Sequence, residues 1–540
     1  MSTSLSFPGQ LDDYWDITQD KLKTEFEFRG YDWSQLFDAL SLEQQRDVKK
    51  VCTISQFVAD NIAIDGELFF QQVISNDIYQ SLSQKQLERN LLTLINDSSN
   101  EGLPSEEQLF KALRIFRRRT QIHIIWHDLL RLAKTMNTTR MLSDMADVCI
   151  TQGLNYVHAM LAEKHGEPIG KTNKIKQRLL VLGMGKLGAH ELNLSSDIDL
   201  IFAYPESGNT SGNSRGRREL SNQEFFIKVG QKLIQALDTS TSDGFVFRTD
   251  MRLRPYGDSG PLVMNFTSIE GYYQDQGRDW ERYAMVKARI INGEETDAGQ
   301  ELLSILRPFT YRQYVDYSAF ESLRSMKTMI NTEVRRRGLH TNVKLGSGGI
   351  REIEFVVQAF QLIRGGQEKE LQTRELLIVL SILESEGYLP AKACKELRQA
   401  YLFLRDTEHV IQALNDEQTQ LLPSDDYQQI SQAQSRMSFA MGFDTWQDFL
   451  IELDSHREKV SHHFSQIVVP TDEESNDDQK STKIEQQAWQ DLWHGNFDPA
   501  QGHGPEERAF LQQFPCTQSD KVIEGIAKFR DSRSVKIMQS

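Results

Sequence analysis

The stretch from Arg178 to Tyr204, RLLVLGMGKLGAHELNLSSDIDLIFAY, constrains this chain more than any other. Leu179 to Leu182 form a short apolar run that stops at Gly183, which predicts a buried strand entering a tight glycine turn. After Ser196 the pattern alternates: Asp197 and Asp199 fall on one face of a second strand, with Ile198, Leu200 and Phe202 on the other. Carboxylates two residues apart on a strand lie about 6 to 7 Å apart at the backbone, so both can lean onto one divalent cation or a closely spaced pair. Such hard oxygen ligands suit magnesium.

The glycines admit several readings. Gly183, Gly185 and Gly188 spell G-x-G-x-x-G after a strand, the dinucleotide-binding pattern. That fold needs a full crossover helix, whereas only about a dozen residues separate Gly183 from Ser196. A Walker loop needs Ser or Thr after Lys186, and Leu187 stands there. A third reading is a glycine turn presenting backbone N–H groups to a nucleotide phosphate, a short helix from about Lys186 to Leu192, and a strand bearing a metal-binding Asp-x-Asp. A plain turn followed by two solvated acids is the remaining alternative.

Gly183-Met184 followed by Ser196-Asp197-Ile198-Asp199-Leu200 resembles the signature of the DNA polymerase β-like nucleotidyltransferase superfamily. The longer string GMGKLGAHELNLSSDIDLIFAY is similar to the bifunctional glutamine synthetase adenylyltransferase/adenylyl-removing enzymes, in their N-terminal, deadenylylating half. FRTDMRLRPYGDSGPLV and DWERYAMVKARIING carry the same resemblance, as do KLGSGGIREIEFVVQAFQLIRGG and the segments around Arg405-Asp406-Thr407-Glu408-His409 and Asn415-Asp416-Glu417-Gln418-Thr419. The likeness runs from about residue 20 to 470.

Phe245 to Arg254 reads as a later strand in which Phe245, Phe247, Met251 and Leu253 alternate with Val246, Arg248, Asp250, Arg252 and Arg254. Asp250 then either belongs to a surface Asp–Arg ladder or joins Asp197 and Asp199 at a metal; the superfamily's pattern calls for a third acid at this place. The candidate catalytic and metal residues are therefore Asp197, Asp199 and Asp250. Candidate nucleotide or phosphate contacts are Gly183, Gly185, Lys186, Gly188, Ser196, Arg252, Arg254, Lys287 and Arg289. A solvated basic pair is the competing reading of Lys287 and Arg289. Arg351, Glu352 and Glu354 enter through the resemblance, at the mouth of a helix that follows a glycine turn.

The resemblance implies phosphorolysis of adenylyl-tyrosine in glutamine synthetase, with magnesium as cofactor, phosphate and ADP as small ligands, and a PII-type signal protein as partner. AMP transfer from ATP, or a non-catalytic signal-protein-binding module, are the alternatives.

With 540 residues and 39% hydrophobic content, the chain can bury several cores. Its net charge of −16 argues against a general nucleic-acid binder. Cys52, Cys149, Cys394 and Cys516 are scattered without a C-x-x-C, which fits a reducing cytoplasm. Neither a signal segment nor an apolar run of membrane-spanning length is present, so no membrane partner is expected.

The expected fold class is mixed α and α/β, mostly α: a small polymerase β-like nucleotidyltransferase core flanked by helical domains. Residues 1–165 read as a helical region, 166–300 as the core, 301–470 as a helical bundle, and 471–540 as an acidic linker followed by two or three helices. No second glycine-turn and Asp-x-Asp pair follows, so the expectation is a truncated, split or removase-only form lacking the transferase half. In the N-terminal region Ser105 to Gln108 has capping-box form, as do Ser221 and Glu224. Arg114, Arg117, Arg118 and Arg119 are expected on a solvated basic face, with a phosphate or partner face as the alternative. His123 and His127 have the spacing of zinc ligands but lack the intervening glutamate. Ser207 to Arg218, ending in Arg215, Arg217 and Arg218, reads as a mobile loop.

Overall fold

Helices carry most of the chain. The computed structural model describes residues 9–98, 102–212, 219–312, 317–423 and 428–466, all within the unit Met1–Ile467. The acidic linker, the segment 471–540, Cys516 and the arginines of 213–218 lie outside the described residues. Among the described residues eight α-helices and one 3-10 turn precede the first strand, the last of them Thr135–His165, which stops at Gly166 in a positive-φ conformation (83°). No helix among the described residues is long and apolar enough to cross a membrane. Cys52, Cys149 and Cys394 are buried and unpaired.

Among the described residues seven strands follow: β1 (Pro168–Gly170), β2 (Leu180–Gly183), β3 (Ile198–Tyr204), β4 (Gly208–Thr210), β5 (Thr249–Asp250), β6 (Val263–Asn265) and β7 (Arg289–Ile290). The first residues of the expected loop thus form β4, paired antiparallel with β1. The other five strands make one sheet in the order β5-β3-β2-β7, with β6 also on β3. β2 and β3 are antiparallel. That direction excludes the dinucleotide-binding fold, whose first two strands run parallel across a helical crossover. The helix expected over Lys186 to Leu192 is one turn, Gly185–Gly188, and His190 turns the chain at φ 57°.

Leu180, Leu182, Ile201 and Ala203 bury one face of the sheet against Met264, Phe266, Ile269 and Leu302. On the other side the Asn222–Asp238 helix comes so close at Gly230 that a Cβ there would lie 2.9 Å from the Phe202 ring. Phe202→Ala would therefore cost about 3–5 kcal/mol. Because β3 is covered on both faces from Leu200 to Tyr204, the expected alternation survives only at half-buried Asp199. Asp197 stands just before the strand.

Both capping boxes form, Ser105 with Gln108 and Ser221 with Glu224. The Glu106–Leu129 helix departs from expectation, because Arg114, Arg117 and Arg118 are buried. Arg114 donates to Ala236 O and Thr239 O, the open carbonyls at the end of the Asn222–Asp238 helix. Arg117 pairs with Asp416, while Arg118 and Arg119 share Asp65. The face is interior because every guanidinium on it has an acid or carbonyl waiting. His123 and His127 stack at 4.6 Å and meet Gln80 O and Ile78 O through Nε2, so they fasten a neighbouring turn. Burial and the His127 charge push His123 down to about 4.

Candidate active site

The β2–β3 register, Gly183 opposite Leu200, places the glycine turn beside the first residues of β3. Met184 N–H donates to Asp199 O at 2.9 Å. Gly185 takes φ 53°, and a Cβ there would sit 3.3 Å from Asp199 Oδ2, so the turn's backbone lies against that carboxylate. Gly188 is required by packing, since a Cβ there would meet Lys287 O at 1.9 Å. Gly183 packs against Leu187 and Ile291.

β5 runs parallel to β3 with Asp250 directly opposite Asp199, so the two acids share a face one strand spacing apart, about 4.8 Å. The strand expected from Phe245 to Arg254 shrinks to Thr249 and Asp250. Val246 and Phe247 are both buried with their N–H groups on Leu237 O, and the chain turns again where Arg254 N–H meets Met251 O. Asp197 is held from two sides, by Arg248 Nε at 2.8 Å on Oδ1 and Gln418 Nε2 at 2.6 Å on Oδ2.

These acids border a cavity of about 380 Å³. The glycine turn and the start of β3 line it with Gly185, Lys186, Ser196, Asp197 and Asp199, and the β5 segment with Asp250, Arg252 and Leu253. Tyr283, Ala284, Lys287, Lys344, Glu354, Gln358, Gln418 and Gln420 complete the lining. Burial, then the Asp250 and Asp197 charges, push the Asp199 carboxyl up to about 6. Among the described residues no side chain donates a hydrogen bond to Asp199. Asp250 is held below the usual carboxylate range, chiefly by its hydrogen bonds from Arg252. Three carboxylates that line one cavity, with Asp199 unpartnered among the described residues, suit a hard divalent cation.

Behind the cavity lies a buried ionic network. Lys186 Nζ donates to both oxygens of Glu408, which also lies 3.7 Å from Arg405. Lys287 reaches Glu354 at 2.6 Å and Glu191 at 3.8 Å. Burial opposes the charge on Lys287, yet Glu354 and Glu191 outweigh it and raise its pKa. Arg405 donates to Tyr401 Oη, Glu191 O and Asn193 Oδ1. The network joins the glycine turn to the Ile350–Arg364 and Ala391–Asn415 helices.

Of the residues named from sequence, Gly185, Lys186, Ser196, Asp197, Asp199, Asp250, Arg252, Lys287 and Glu354 line the cavity. Gly183, Gly188, Arg254, Arg289, Arg351 and Glu352 do not. Arg289 is buried in a two-point pair with Asp147 and donates to Gly188 O and Leu187 O. Arg254 serves Met251 O and Asp258, and Arg351 serves Glu333 and Leu345 O. Asp144, Asp147 and His190, not the three cavity acids, bring their ligand atoms within 4.8 Å of one another, but Arg140 and Arg289 already pair with the two acids.

A sequence model of the family described as Glutamate-ammonia ligase adenylyltransferase matches residues 45–304, and one described as GlnD PII-uridylyltransferase matches residues 324–468. The chain is 49% identical over 456 residues to a bifunctional glutamine synthetase adenylyltransferase/adenylyl-removing enzyme of Pseudomonas aeruginosa, covering 84% of this chain and 45% of that one. Relatives of the same name in Hahella chejuensis and Nitrosococcus oceani are each 46% identical, over 495 and 425 residues. Those matches cover 91% and 78% of this chain and 49% and 42% of the relatives. The chain is thus similar to these enzymes over most of its own length. It spans about half the length of the curated relatives it matches, aligned with their N-terminal half.

Lys344, Tyr283, Gln418 and Gln420 line the cavity but carried no site assignment from sequence. Lys344 stood just before the Gly346-Ser347-Gly348-Gly349 turn, a weak signal of a basic group at a helix mouth. The two glutamines carried none, because only the fold brings the end of the Ala391–Asn415 helix over Asp197.

Proposed function

We propose that this chain removes AMP from adenylylated glutamine synthetase by phosphorolysis. The observation that carries the reading is the alignment of Asp199 and Asp250, with Asp197 beside them, at the mouth of the glycine turn. An oxygen of hydrogenphosphate attacks the phosphorus of the tyrosine-linked AMP, a new P–O bond forms, and the bond to the tyrosine oxygen breaks. ADP leaves, and the proton given up by hydrogenphosphate accounts for the restored tyrosine hydroxyl.

Displacement at phosphorus asks chiefly for positioning and charge neutralisation. Asp197, Asp199 and Asp250 would hold magnesium, which when bound offsets charge on the transferring group. Arg248 and Gln418 fix the Asp197 carboxylate, and Gly185 brings backbone within reach of a phosphate. Tyr283, Leu253 and Ala284 offer an apolar wall to a nucleotide. Direction is supported by the likeness of the glycine-turn string to the deadenylylating half of the family. A PII-type protein as regulator is supported by the match of residues 324–468 to a PII-uridylyltransferase model.

The test is to incubate the chain with adenylylated glutamine synthetase, orthophosphate and magnesium, and separately with unmodified glutamine synthetase and ATP. ADP release in the first mixture is expected. AMP incorporation in the second alone would reverse the direction.

A further inference from the structure

Among the described residues four cationic side chains line the cavity, and three of them are already committed. Lys186 is held by Glu408, Arg252 by Asp250, and Lys287 by Glu354. Lys344 is the fourth. Among the described residues it has neither an ion-pair partner nor a hydrogen-bond acceptor for its ammonium. It lines the same cavity as Asp199 and Glu354, and its charge acts on both of them and on Glu408.

Its backbone is fixed. Lys344 N–H donates to Asn342 Oδ1 at 2.9 Å, and its carbonyl accepts from Arg351 N–H at 3.0 Å. Val343 before it is fully buried and hydrogen-bonded to Gln420 O. The turn that follows is pressed against the Trp446–Gln466 helix, where a Cβ on Gly348 would lie 2.1 Å from Arg457 O. An unpaired cation on so rigid a mount is preorganised for a ligand charge.

Resting on the phosphorolytic reading, we infer that Lys344 is the binding residue for the attacking orthophosphate. A phosphate dianion entering beside three carboxylates meets repulsion from all of them, and the committed cations cannot offset it without abandoning their own acids. Lys344 alone can take the dianion without breaking an internal pair. It holds one phosphate oxygen while another attacks the phosphorus, the electron pair of the broken bond passing to the tyrosine oxygen.

The experiment compares the full chain with Lys344→Met and Lys344→Arg, reading ADP release at varied orthophosphate and, separately, the thermal shift produced by orthophosphate alone. Loss of one charge-assisted contact should raise the KM for orthophosphate about tenfold or more in Lys344→Met, with a smaller change in kcat. The orthophosphate thermal shift should vanish, and Lys344→Arg should restore both in large part. Lys176→Met, an exposed lysine outside the cavity, should change neither. If the wild-type chain forms ADP and Lys344→Met keeps its KM and its thermal shift, the assignment falls while the phosphorolytic reading stands. If the wild-type chain forms no ADP from orthophosphate, both fall.

Discussion

Glu408 grips Lys186 with both carboxylate oxygens, at 2.9 and 3.0 Å, across 222 residues of sequence and with no exposure of its own. The lysine of the glycine turn therefore serves first as a rivet between core and bundle. Breaking a buried pair from one side leaves an uncompensated charge and costs about 3–5 kcal/mol, while replacing both partners with apolar groups is often near neutral. Glu408→Gln should thus lower unfolding free energy in urea by about 3 kcal/mol or more. The double change Lys186→Met with Glu408→Leu should cost less than Glu408→Gln alone. Additive losses would show that the two residues do not act as a pair.

The glycines separate by what their missing side chains would strike. Gly188→Ala places a methyl group 1.9 Å from Lys287 O, a backbone atom that cannot swing aside. Overpacking of that kind should cost about 3 kcal/mol or more, visible as a large fall in Tm. Gly185→Ala meets nothing closer than Asp199 Oδ2 at 3.3 Å but must adopt φ 53°. Left-handed strain of about 1 kcal/mol is expected, with turnover falling more than stability. Equal destabilisation by the two changes would contradict these separate roles.

Glu352 gives the chain a pH dependence of its own. Burial pushes this carboxyl up to about 7, its Oε2 has no hydrogen-bond partner, and the Gly348 N–H, Arg351 and Lys327 only partly offset the burial. The folded state therefore holds a proton that the unfolded state releases near pH 4.5. With the folded value raised above the unfolded one, this group's contribution is neutral below about pH 4.5 and destabilising as pH rises to about 7, where it levels off. Glu352→Gln should leave stability at pH 4.5 nearly unchanged and add about 1–3 kcal/mol at pH 8, read from urea midpoints. A pH-independent difference between the two proteins would assign Glu352 an ionised role.

The sheet and its acids were legible because they depend on neighbours in sequence. The apolar run before Gly183, the Asp-x-Asp and the capping boxes at Ser105 and Ser221 are local patterns, and each forms. Arg114, Arg117 and Arg118 defeated the same reading, since helical periodicity cannot distinguish a solvated arginine from one whose carbonyl or acid partner lies far along the chain. Arg289 was misplaced as a phosphate candidate for the same reason: its partner, Asp147, sits in a helix 142 residues earlier. The rest of the cavity lining was invisible because Lys344, Gln418 and Gln420 reach it only through packing of the bundle on the core. Even the second acid-bearing strand was overread, since alternation from Phe245 to Arg254 produced just two paired residues, though Asp250 is one of them.

Asp250 can be assigned by its coupling to Asp199. If Asp250 belonged only to its pair with Arg252, a residue 75% exposed at its side chain, that pair would contribute about 0–1 kcal/mol and its loss would hardly touch turnover. As an oxygen ligand opposite Asp199 it behaves otherwise. Asp250→Asn and Asp199→Asn should each lower turnover by about 100-fold or more, and the double mutant should be little worse than either, because groups holding one cation fail together. Folding stability should hold or rise slightly, since each change removes like charge from the cluster that lifts Asp199. Magnesium-induced thermal stabilisation should disappear in all three variants, whereas Arg252→Met should keep it. Multiplicative losses in the double mutant, or an Asp250→Asn protein within about threefold of wild type, would return Asp250 to the exposed pair and leave Asp197 and Asp199 alone at the cation.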